Sequence, residues 1–115
     1  MIMTLLTRIL VGLLVLGAAG HTIGSLEFYK GQPHALFWAL CVSVLIVVLA
    51  AMNWLRADRP HDLGLAWVTA AATLAYAGIS IGFGFLIGNP MDWRALSFAA
   101  ISLALTGLSL RTALN

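Results

Sequence analysis

Charge is what this chain has least of. Only 9% of its 115 residues are Asp, Glu, Lys or Arg, against about 25% in an ordinary soluble domain. So few ionic groups cannot cover a water-exposed surface, which excludes a conventional globular protein. The six basic residues stand singly and the formal net charge is only +2. No basic patch exists to track a phosphate backbone, so no nucleic-acid partner is expected. Cysteine occurs once, at Cys41, which excludes an intrachain disulfide and CxxC chemistry. A Walker loop, a glycine-rich phosphate turn after a strand and an HExxH pair are all missing. No cofactor is expected on this basis, and no metal.

What is present instead is apolar surface: 62% of residues are hydrophobic and the mean hydropathy is +1.01. A bilayer-spanning helix needs roughly 20 apolar residues, because it rises about 1.5 Å per residue through about 30 Å of hydrocarbon. Four segments meet this, at about Thr4–Leu26, Ala35–Leu55, Leu63–Ile87 and Ala95–Leu110. Their apolar residues run continuously instead of alternating, which predicts helices and not a β-barrel. The expected fold is therefore all-α, a single four-span membrane domain. The fourth span is the shortest, and Arg94 and Arg111 at its ends can snorkel to the headgroups.

Short polar links separate the spans: Glu27 to His34, Arg56 to Asp62 and Gly88 to Trp93. Gly31 with Pro33, then Pro60, then Gly88 with Pro90 break the helices there. Links this short predict an up-down-up-down bundle. Arg8, Arg56, Arg59 and Arg111 then fall on one side, and Lys30 and Arg94 on the other. Excess basic residues mark the cytoplasmic side, so both termini are expected inside, in a plasma or bacterial inner membrane. Arg8, the apolar run after it and Gly17-Ala18-Ala19-Gly20 also fit a secretory signal peptide. We expect this segment to stay as the first span.

Small residues four apart recur: Gly20 with Gly24, Gly78 with Gly82, Gly84 with Gly88, and Ala100 with Ala104. In lipid, close approach through such residues supplies much of the helix association, so these pairs are expected to pack helices 1 and 3 or to join two copies. Thr69, Thr73, Tyr76 and Ser80 share one face of helix 3, and Ser102, Thr106 and Ser109 repeat the pattern on helix 4. These hydroxyls either bond their own helix and its neighbour or line a polar seam. Tyr76 demands a partner most, since a phenol at mid-span cannot stay unpaired cheaply.

His21 is an imidazole inside a span, roughly 25 Å along helix 1, and an ionisable group there is a functional candidate. Ser80 lies at similar depth, and Glu27, His34 and Asp92 follow just above. The set His21, Tyr76, Ser80, Glu27, His34 and Asp92 is thus the candidate ligand-binding or proton-titrating site, opening outward. Against it stands a plain reading in which His21 bonds a carbonyl or hydroxyl and the other three ionisable groups are solvated loop residues. A metal site through His21, His34 and Glu27 matches no ligand spacing. His61 falls on the other side, in an Arg56–Asp62 turn whose charges suit anionic headgroups.

The length and span count resemble the small multidrug resistance transporters, which are dimers of short four-helix chains. That layout implies a homodimer. Such transporters rely on a glutamate midway along helix 1, whereas this helix 1 offers only His21, nearer its far end. The expected function is therefore a non-enzymatic accessory or ligand- or lipid-binding membrane protein, in contact with membrane lipids and able to form a homo-oligomer through its small-residue faces. The alternative is a small proton-coupled transporter acting as a homodimer. An enzyme is the least expected class, because no nucleophile–base pair can be assembled.

Overall fold

The computed structural model describes every residue from Met1 to Asn115. It contains four helices and no strand: α1 Ile2–Phe28, α2 Pro33–Asp58, α3 Leu63–Leu86 and α4 Trp93–Leu114. All four are long and apolar enough to cross a membrane. The bundle is a rod of 47 × 22 × 22 Å, and large apolar side chains such as Leu16, Ile23, Trp38, Val44 and Phe85 stand on its outside. Such a surface is stable in hydrocarbon and not in water. The chain is a membrane protein by these properties.

Local chemistry sets the helix ends. Pro33 occupies the first turn of α2, where its missing N–H costs nothing. The Asp62 carboxylate caps α3 by accepting from the Leu65 N–H at 2.9 Å. After α3, Asn89 N–H donates to Gly84 O at 2.9 Å and Gly88 N–H to Phe85 O at 3.0 Å, with Gly88 at φ +73°. This is the Schellman closure, which needs a left-handed residue that glycine supplies without strain. α4 is longer than its apolar run. It has 22 residues, about 33 Å, and needs no snorkelling to span. Asp92 starts it two residues early, and Arg111 and Thr112 continue it past Leu110.

Packing is tightest within two helix pairs, α1 on α2 and α3 on α4. Val11, Leu14 and Ala18 of α1 meet Ile46, Leu49 and Ala50 of α2, with Tyr76 and Leu105 joining from the second pair. Alanine and hydroxyl residues line the α3–α4 contact: Ala66, Thr69, Ala70, Thr73 and Ala77 face Ala95, Ala99, Ser102, Thr106 and Ser109. The glycine pairs do not do this work. A Cβ built on Gly20, Gly24, Gly78 or Gly82 meets nothing within 4 Å, and Ala100 and Ala104 are exposed. The helical period explains the difference: the buried face of α3 runs through residues 66, 69, 70, 73, 77 and 80, and residues 78 and 82 fall to its side. Two glycines do pack closely: at Gly17 a Cβ would lie 2.6 Å from the Phe98 ring, and at Gly84 it would lie 3.2 Å from Asn89 O in the turn after α3.

Candidate functional site

His21 lies on α1 with Nε2 3.0 Å from the Ala39 carbonyl of α2. A carbonyl can only accept, so this nitrogen carries the proton and donates. Beside it the Thr22 hydroxyl bonds Ala18 O and lies 2.8 Å from the Ser43 hydroxyl. These are α1–α2 cross-links. Tyr76 is buried elsewhere, edge-on to Phe98 with centroids 6.0 Å apart, and Ser80 one turn on is buried too. No hydrogen bond joins His21 to Tyr76 or Ser80. Glu27 and His34 are exposed, and His34 lines a surface depression with Pro33, Phe37 and Trp38. No three His, Cys, Asp or Glu side chains cluster as metal ligands.

Asp92 is the best-shielded carboxylate, its side chain only 8% exposed. It accepts from the Arg94 and Ala95 N–H groups at 3.0 and 3.2 Å and pairs with the Arg94 guanidinium at 2.9 Å. The Arg94 side chain first, and the Ala95 amide next, hold its carboxyl below the usual carboxylate range. These bonds occupy it fully in starting α4.

The two hydroxyl stripes face each other. Thr73 bonds Thr69 O at 2.9 Å and lies 2.8 Å from the Thr106 hydroxyl, which donates to Ser102 O. All seven stripe residues are buried. They line a helix contact, but own-helix and cross-helix bonds account only for Thr73 and Thr106, while the Thr69, Ser102 and Ser109 hydroxyls have no partner.

The largest surprise lies near the last turns of α4. Arg56 belongs to α2, not to a turn, and is only 3% exposed. Its Nη1 donates to Thr112 Oγ1 at 3.1 Å and to Leu108 O at 3.5 Å, and its Nη2 to Thr7 Oγ1 at 3.3 Å. Both threonine hydroxyls already donate to their own helices, to Met3 O and Leu108 O, so they meet arginine as acceptors. Nε has no partner. Neither does Oδ1 of Asn53, fully buried one turn earlier, nor the hydroxyl of Ser109. The chain's two ion pairs are Arg8–Asp58 and Arg94–Asp92, so Arg56 meets no carboxylate, that of the chain end included. Beside it opens a cavity of about 300 Å³ whose lining includes Thr7, Arg56, His61, Arg111, Thr112 and Asn115.

Sequence reasoning placed Arg56 at a span end, in a turn whose charges suit anionic headgroups, and not inside the bundle. The signal for more was its register. Residues 39, 43, 46, 50, 53 and 56 repeat at steps of four and three, which places Asn53 and Arg56 on the face that Ile46 buries. Comparison with protein-family models, with curated proteins and with solved structures gives no match to this chain.

Proposed function

We propose that this is a non-enzymatic membrane protein that binds a lipid-like or small amphiphilic ligand, alone or as an accessory subunit. In this reading the four helices run up-down-up-down across a plasma or bacterial inner membrane, with both termini cytoplasmic. Two facts support that arrangement. Arg56, near the end of α2, donates to Thr7 near the start of α1 and to Thr112 near the end of α4. The same region holds Arg8, Arg59 and Arg111, more bases than Lys30 and Arg94 provide elsewhere.

The observation that carries the binding reading is the cavity beside Arg56, where a buried guanidinium without a carboxylate partner lines open space. Ligand sites are concavities with a few placed polar groups. An outward-facing site at His21, Tyr76 and Ser80 is the competing location. Mass spectrometry of the chain purified in mild detergent tests the reading. A retained amphiphile, with no substrate flux in proteoliposomes, is the expected result. Flux driven by a proton gradient and abolished by His21→Ala would overturn it in favour of a transporter.

That second reading draws on one observation. Gly20 with Gly24 and Gly78 with Gly82 face outward with nothing against them, as faces joining two copies would. Cross-linking in native membranes tests it, and Gly78→Leu is expected to abolish a dimer band if those faces meet.

A further inference from the structure

We propose that the cavity at Arg56 is an anion site that takes a phosphate group, with Arg56 as its floor and Arg111 and His61 at its rim. This deepens the binding reading above, on which it rests, by naming the chemistry of the ligand.

The argument starts from the cost of a buried charge. Arginine stays protonated in proteins, so Arg56 cannot shed its charge as a buried lysine would. A shielded cation is normally paired with a carboxylate or a bound anion, because desolvation is otherwise uncompensated. Arg56 has only three neutral oxygens, at 3.1 to 3.5 Å, longer than the about 2.7–2.9 Å of a charge-assisted bond. One of them, Leu108 O, lies near the carboxyl end of α4, where the helix dipole supplies about half a negative charge. That leaves a positive excess. Nε adds an N–H with no acceptor.

The surroundings raise this excess. Arg111 adds a second cation to the same cavity from α4, His61 of the α2–α3 link adds a ring nitrogen, and no Asp or Glu side chain lines it. Arg111 and His61 are both exposed, so an anion reaches the rim of the cavity from outside. The volume, about 300 Å³, holds roughly ten waters' worth of space, ample for a phosphate group. Guanidinium forks match phosphate oxygens bidentately. Met3 and Leu108 on the wall suit a phosphate that arrives on a glycerol or acyl stem, and a free phosphate or phosphate ester presents the same anion.

The test uses the full chain in a neutral maltoside detergent. Native mass spectrometry compares retention of phosphatidylglycerol with phosphatidylcholine of the same acyl chains. A parallel thermal-unfolding series compares inorganic phosphate with chloride at equal ionic strength. We expect phosphatidylglycerol to be retained about tenfold better, the scale of one or two charged hydrogen bonds. Arg111→Gln should bring the two lipids close to parity, while Arg59→Gln, an exposed base outside the cavity, should not. Arg56→Gln should do the same as Arg111→Gln, with circular dichroism reporting whether it folds; Arg111, being exposed, carries the test if it does not. Protection by phosphate without any lipid preference would support the site and assign it a soluble source. A lipid preference lost equally in Arg59→Gln and Arg111→Gln would mean diffuse surface charge and overturn the site. Equal retention of both lipids without phosphate protection would overturn the anion site and leave lipid binding standing. Retention of neither, with no phosphate effect, would sink both.

Discussion

Asp92 and Arg56 flank α4, one at its first turn and one at its last, and both are almost hidden from solvent. Each sign suits the helix dipole it meets. There the likeness stops. Asp92 has a guanidinium and two amides and sits beside tight packing, where Phe98 presses on Gly17 and Tyr76. Arg56 has neutral oxygens, an unpaired Nε and an open cavity. A charge satisfied inside the chain is structural equipment. One left short of counter-charge at the edge of a cavity points to something outside the chain.

Changes that crowd or repair one end can break this contrast. The largest effect is expected from Gly17→Leu, which forces Phe98 off Tyr76; overpacking should cost about 1–3 kcal/mol, read by unfolding in micelles. Ala57→Leu, on the cavity wall, should stay within about 0.5 kcal/mol. Equal costs would mean that the two ends are packed alike. Next comes Thr112→Asp, which gives Arg56 the carboxylate it lacks. Lipid preference in the native mass spectra should fall about tenfold, and an unchanged preference would show that missing counter-charge is not what separates the ends.

Thr73→Val removes the hydroxyl bridge to Thr106 between the two ends and should cost about 0.6 kcal/mol, a typical figure for such bonds in membranes; a cost several times larger would reveal a load the bridge does not share. The smallest effect concerns pH at Asp92. Its folded value is depressed, so the folded state binds fewer protons and the contribution is complete above the ordinary carboxylate range. It fades as pH falls through the lower folded value. Amide exchange in the first turn of α4 should therefore quicken only at strongly acidic pH, and earlier fraying would show that Arg94 does not hold the carboxylate.

The apolar runs made the helices legible, because hydrocarbon permits little else. Their ends were less so. Asp92 and Thr112 lie beyond the apolar stretch; capping bonds from Asp92 start α4 early, and its far end continues through Thr112 to Leu114. The small-residue pairs pointed to close packing, but alanine with serine and threonine provides it, and the glycines at 20, 24, 78 and 82 turn outward. Of the candidate site, residue type singled out His21, but a histidine's partner depends on which helix face meets it, and here it is a backbone oxygen. Arg56 escaped notice for the opposite reason. A basic residue near a span end reads as a topology marker, and only the phase of the buried face through Ile46 and Asn53 reveals that it turns inward.

The lopsided contact between helices has a consequence for how the protein is made. Each helix pair closes most of its own interface, so the halves can mature one after the other as the ribosome delivers them. Their final union is then a lateral meeting of two finished pieces. Arg56 is a clasp in that step, since it reaches from the first piece to Leu108 and Thr112 of the second. Whatever neutralises this guanidinium would also govern how firmly the halves hold together.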